Sequence, residues 1–192
     1  MTTGPFFDAT RRRSPLDGFD LPGELLRELP FRTQIDIRMA ATDPAASDAI
    51  ASVVGPLPLD PNTFTGGPDG SVLWLGPDEW LLVGPPGGDG ALESQLRLAL
   101  GDAAARVAIV DVSANRTTLE LRGPRARAAL ESGCSIDLHP RAFGQGRCAQ
   151  TLLGRAGVII QQLTDEPLYW IYVRPSFAIY VATWLKDALE ER

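Results

Sequence analysis

The side chains that most often do chemistry are scarce in this 192-residue chain: one histidine, His139, two cysteines, Cys134 and Cys148, and one lysine, Lys186. A zinc site needs three or four His, Cys or carboxylate ligands. No C-x-x-C occurs, so such a site would have to recruit carboxylates, and none is expected. With no second histidine, general acid–base work would also fall to Asp and Glu, and His139, beside Pro140, reads as a loop residue. The nearest string to the dinucleotide-binding G-x-G-x-x-G is Gly144-Gln145-Gly146-Arg147. It lacks the third glycine and precedes a strand, so it reads as a turn. No P-loop, G-x-S-x-G or H-E-x-x-H is present. No catalytic, cofactor-binding or metal-binding residue is therefore assigned. The thiols are expected to be reduced, since a disulfide needs Cα atoms within roughly 7 Å and no export signal is visible.

Polar groups suited to contacts remain. Asp78-Glu79 precedes Trp80 on a tight turn. These carboxylates either meet a ligand or a partner arginine, or belong to a plain hairpin turn in which Pro77 presets φ and Asp78 bonds local backbone. Asp111-Val112-Ser113 ends one strand and Asn115-Arg116 begins the next. Asp and Ser side chains suit a bend there, while Asn115 and Arg116 are candidate partner or ligand contacts. Arg11, Arg12 and Arg13 suit either an acidic partner face or a solvated tail.

The net charge of −6 repels phosphate backbones and argues against nucleic acid as a partner. The basic charge is almost all arginine, which suits bidentate pairing with carboxylates but also follows from a GC-rich genome. Arg11–Arg13 lead into Ser-Pro-Leu-Asp-Gly instead of an apolar run, and no stretch of about 18 apolar residues follows. A cytoplasmic protein without a membrane span is expected.

The elements that would position these residues alternate between strand and helix. Residues 1–30, rich in Pro and Gly, read as an arm with one possible turn at 24–28. Its Phe6, Phe7, Leu16, Phe19, Leu21, Leu25 and Leu26 either pack back on the domain or lie on a partner. Residues 31–39 alternate as a strand with a polar outer face. A helix over 45–54 has Asp43 as its cap and Pro44 at its first position. After a long loop at 56–70 come a hairpin (72–75 and 79–83), a helix (91–100), a buried strand (106–112) and an alternating strand (116–121). A helix follows from Pro124 to about 132. Strands at 149–153, 158–163 and 168–173 and a last helix at 176–190 complete the chain. Trp74, Trp80, Trp170 and Trp184 are expected mostly in the core, and an exposed Trp170–Tyr172 face would favour a docked subunit. The order gives an α+β fold of two intertwined ferredoxin-like βαββα halves with antiparallel sheets, about 31–104 and 105–192, forming one domain behind the arm.

Several motifs occur in the order found in sarcosine oxidase gamma subunits. They are the run from Val110 to Leu138, Ala142-Phe143, Thr151-Leu-Leu-Gly-Arg-Ala156, and the aromatic helix from Ser176-Phe177 to Trp184-Leu185. Leu75-Gly-Pro-Asp-Glu-Trp-Leu-Leu-Val83 recurs there and in folate-binding aminomethyltransferase relatives. Over residues 70–190 the chain resembles that gamma-subunit family. It departs where the family often has a histidine just after Asp-Val-Ser, here Ala114. The resemblance implies an aminomethyltransferase-like fold and a non-catalytic subunit of a heterotetramer that demethylates sarcosine to glycine. That enzyme yields hydrogen peroxide and, with tetrahydrofolate, methylenetetrahydrofolate. The resemblance further implies large alpha and beta partners carrying the flavins, NAD and folate, a small delta subunit carrying zinc, and no cofactor on this chain. The competing reading is a free-standing folate-binding protein of one-carbon metabolism, by analogy of fold.

Overall fold

Strands whose side chains alternate between two apolar environments need cover on both faces, and the described residues supply it with two sheets and four α-helices. The structure, a computed structural model, describes residues 13–190. The first half runs β1 (Leu26–Glu28), β2 (Thr33–Arg38), α1 (Pro44–Val54), β3 (Phe64–Gly67), β4 (Gly70–Gly76), β5 (Glu79–Gly84) and α2 (Asp89–Leu100). A 3-10 turn, Gly101–Arg106, leads to β6 (Ala108–Asp111), β7 (Thr117–Arg122), α3 (Ala126–Glu131), β8 (Cys148–Leu153), β9 (Ala156–Thr164), β10 (Leu168–Val173) and α4 (Pro175–Glu190).

The expected intertwined α+β halves are present, and their interlocking is specific. One sheet has the order β6-β2-β5-β4-β3 and the other β1-β7-β10-β9-β8, so the two match place for place. All their pairings are antiparallel. The outer strand of each sheet comes from the opposite half. β1 opens the first half yet pairs with β7 of the second, with Leu26 opposite Leu121. β6 follows α2 yet pairs with β2, with Ile37 opposite Ile109.

Period-two alternation then sorts the side chains into three layers. Ile35, Ile37, Trp80 and Leu82 face α1 and α2, meeting Ile50, Leu96 and Leu100. Leu119, Leu121, Ile160 and Ile171 face α3 and α4, meeting Leu130, Val181 and Leu185. The opposite faces of the sheets press together, Leu73, Leu81 and Val83 against Ile159, Trp170 and Tyr172. Helix starts and close approaches follow local chemistry. The Asp43 carboxylate accepts from Ala46 N at 3.1 Å to cap α1, as its position suggested. Gly133 lies beneath the Trp184 ring, where a Cβ would come within 2.8 Å.

Four expectations need correction. The face of β2 read as outer is so only at its end: Gln34 is fully buried under the second sheet, Asp36 is half-buried and Arg38 is exposed. The turn expected at 24–28 contains β1, and Leu16 and Leu26 are core residues. The loop at 56–70 contains β3, whose two glycines gave no strand signal. The strand expected as buried at 106–112 is a short edge strand with Val110 50% exposed. Trp80 and Trp170 are buried as expected, whereas Trp74 and Trp184 are only partly so.

Because Leu26 has no exposed surface and packs among β7 side chains, Leu26→Ala should cost about 2–5 kcal/mol. Urea unfolding measures this. A loss under about 0.5 kcal/mol, the scale of a surface substitution, would mean that the segment does not contribute to the core.

Candidate functional site

The inter-sheet layer is apolar at its centre and charged at its rim. Buried polar groups within it are partly paired, and Gln34 Oε1 and Gln161 Nε2 find no hydrogen-bond partner among the described residues. Tyr172 donates to Gln161 Oε1 at 2.6 Å, and Gln34 Nε2 donates to the Arg116 carbonyl at 3.2 Å. Glu120 accepts from Arg27 at 2.8 Å, Arg122 at 2.6 Å and Trp170 Nε1 at 3.2 Å. Burial alone would raise the Glu120 carboxyl, but these donors outweigh it and hold it below the usual range. Trp170 and Tyr172 are therefore interior, not the exposed face that would have marked a docked subunit; Arg32 stacks over Trp170 at 4.7 Å.

Where β2 and β5 reach the rim, Arg38 pairs with Glu79 at 2.8 Å and approaches Asp36 at 3.7 Å. The Asp36 carboxyl is pushed up to about 6, first by burial and then by the charge and hydrogen bond of Glu79. Next to this group lies a cleft of about 400 Å³ lined by Ala114, Asn115, Arg116, Arg174, Pro175 and Ser176. A second groove of about 200 Å³ shares Arg116 and Arg174 and extends along Gln150 and Thr151 of β8. The Arg116 guanidinium is held below its usual pKa by burial and then by Arg174, against the attraction of Asp36 and Glu79. It stays protonated regardless. Among the described residues neither Arg116 nor Arg174 forms an ion pair. A larger recess of about 520 Å³ lies at Arg122–Pro124 and Thr164–Leu168. It is lined mostly by apolar surface, and its one guanidinium, Arg122, is already bound to Glu120.

The sequence-derived candidates separate. Glu79, Asn115 and Arg116 converge on this rim, whereas Asp78 is an exposed turn residue whose carbonyl accepts from Met39 N at 3.1 Å. Arg13 is exposed, and Arg11 and Arg12 lie outside the described residues. The bend at 111–113 forms as its side chains suggested: Ser113 N donates to Asp111 Oδ1 at 2.8 Å, and Ser113 Oγ accepts from Gln34 N at 2.9 Å. Sequence reasoning missed Asp36, Arg38 and Arg174. The first two were visible as the polar stripe of β2, and Arg174 stands just before the Pro that opens α4.

The other chemistry-bearing groups have structural occupations. His139 Nδ1 accepts from Arg141 N at 3.2 Å in an exposed loop. Gly144–Arg147 is a turn, as expected, with Arg147 N donating to the Gly144 carbonyl at 3.2 Å. Both cysteines are free thiols, and burial pushes Cys148 up to about 12. Among the described residues no group of three or more His, Cys, Asp and Glu is placed to hold a metal ion, and no helix is long and apolar enough to cross a membrane.

The raised Asp36 carboxyl has a consequence with a definite sign. Unfolded Asp ionises near ~3.9, so between about pH 4 and 6 the folded chain binds more protons than the unfolded one. The contribution of Asp36 to stability is full below this window and lost as pH rises through about 6. Asp36→Asn should gain in melting temperature on the parent chain as pH goes from about 4 to 7. A difference independent of pH would contradict the assignment.

Comparison with known proteins gives the relatives. The model of the "Sarcosine oxidase, gamma subunit family" matches residues 38–191. Sarcosine oxidase subunit gamma of Corynebacterium sp. (strain P-1) is 41% identical over 86% of this chain and 80% of its own length. The Arthrobacter sp. subunit gamma is 38% identical over 100% of this chain and 97% of its own. Among solved structures, a chain of the heterotetrameric sarcosine oxidase from Corynebacterium sp. U-96, in complex with pyrrole 2-carboxylate, matches with a TM-score of 0.81. It is 36% identical, covering 93% of this chain and 94% of that one. Glycine cleavage system aminomethyltransferase T from Bartonella henselae shares the fold, at TM-score 0.62 and 15% identity, over 83% of this chain and 44% of that one. On the family match and these identities, the chain belongs to the sarcosine oxidase gamma subunit family.

Proposed function

We propose that this chain is the gamma subunit of a heterotetrameric sarcosine oxidase and serves its assembly, not its turnover. The observation that carries the reading is the near-complete overlap, 93% of one chain and 94% of the other, with a chain of a solved heterotetrameric sarcosine oxidase. The residues agree in kind. The buried thiol of Cys148 is held protonated, His139 is engaged in its own turn, and Glu120 is neutralised by Arg27 and Arg122. These arrangements stabilise a shape.

In this reading the alpha and beta subunits carry the flavins, NAD and tetrahydrofolate, and the delta subunit carries zinc. The complex oxidatively demethylates sarcosine to glycine with formation of hydrogen peroxide and methylenetetrahydrofolate. Co-expression with the large subunits encoded by the same organism tests it. The chain should elute from gel filtration with them, and flavin absorbance should follow the large subunits when they are dissociated. Elution of this chain by itself, at concentrations where the large subunits associate with each other, would refute the reading.

A further inference from the structure

Arg116 and Arg174 come from different parts of the chain, one leading into β7 and the other closing β10. The fold nevertheless brings them to the same cleft and to the same adjoining groove. Two guanidinium groups side by side repel, and the cost grows as water is withdrawn. Asp36 and Glu79 attract Arg116, but both are already committed to Arg38. The cleft therefore holds more positive charge than the described residues around it neutralise. Asn115 and Ser176 add hydrogen-bonding side chains to its wall. Guanidinium pairs bind carboxylates by parallel N–H···O bonds, so the chemistry of this cleft calls for a carboxylate.

The surroundings say where that carboxylate comes from. Beside the cleft, Phe177 and Tyr180 of α4 stack edge to face with centroids 6.4 Å apart, and Trp184 continues the row 6.2 Å from Tyr180. Phe177 is 39% exposed, and Leu152, next to Thr151 in the groove, is 51% exposed. The Tyr180 hydroxyl accepts from Arg155 N at 3.2 Å, fixing the row against the turn between β8 and β9. A charged anchor bordered by aromatic and aliphatic surface is the composition of a protein interface. A site for a free metabolite would enclose its ligand, whereas Arg174, Asn115 and Ser176 are all exposed here.

We propose that the Arg116–Arg174 cleft, with the Phe177–Tyr180–Trp184 row beside it, is the surface by which this chain docks on a large subunit, and that it receives an aspartate or glutamate carboxylate of that subunit. The proposal rests on the gamma-subunit reading above and adds the place and chemistry of the contact. It is tested in the co-expressed complex with Arg174→Glu and Arg116→Gln, each first shown by circular dichroism to melt like the parent chain. Leu98→Glu, on the exposed face of α2 where Leu98 is 84% exposed, is the control. Arg174→Glu should weaken association at least roughly tenfold and Arg116→Gln less, and the variants should lose part of the salt dependence that the parent complex shows. Leu98→Glu should assemble normally. Arginine variants that assemble like the parent would overturn the proposal while leaving the gamma-subunit reading intact. Failure of the parent chain to assemble would end both. Calorimetry of the chain alone with succinate and with inorganic phosphate supplies the remaining arm. Submillimolar binding lost in Arg174→Glu, with assembly unchanged, would make this a free-anion site and refute docking.

Discussion

The inner faces of two five-stranded sheets press against each other, and each sheet takes its last strand from the other half of the chain. The rest of the structure follows from that arrangement. Leu26 fills a place among β7 side chains that no later residue supplies, and Ile109 does the same beside β2. Detaching the halves would expose Leu73, Leu81, Ile159, Trp170 and Tyr172 to water together. The apolar area involved makes separation costly.

Burying both faces of a sheet also constrains its polar residues. Gln34, Thr118, Glu120 and Gln161 lie on strands that would be half solvated in a single-sheet protein, yet here they are interior. Each such group needs a partner in place. Glu120 finds two arginines and an indole, and Gln161 Oε1 finds the Tyr172 hydroxyl, while Gln161 Nε2 and Gln34 Oε1 find none among the described residues. Toward the rim the partners run short: Arg116 and Arg174 line one cleft, and among the described residues neither forms an ion pair. Charge is thus compensated in the interior and left over at the edge, a distribution suited to a subunit that contacts others through its periphery.

Much of this was legible in the chain. The Asp43-Pro44 start of α1, the hairpin around Pro77, the three consecutive strands β8 to β10 and the helix α4 all follow local rules of capping, turn chemistry and alternation. What escaped reading depended on partners distant in sequence. Nothing in Leu-Arg-Glu at β1 says that residues 119–121 lie opposite. The glycines of β3 hide a strand held by pairing with β4. The polar stripe Gln34, Asp36, Arg38 looks like a solvated face throughout until a second sheet is known to cover its Gln34 end. The rim likewise was half visible. Glu79, Asn115 and Arg116 stand in recognisable motifs, but only the fold carries Arg174 to the same place. Family motifs spoke to relationship; the position of the uncompensated charge required three dimensions.

The exchange of outer strands makes the two halves one cooperative unit, and fragment complementation probes that directly. Residues 1–104 and 105–192, produced separately, should each lack a cooperative thermal transition and near-ultraviolet circular dichroism, and should regain both on mixing at equimolar ratio. A sharp, independent transition in the isolated 105–192 fragment, unchanged by adding the other, would show that the second sheet needs neither β1 nor the opposing face, and would contradict the account.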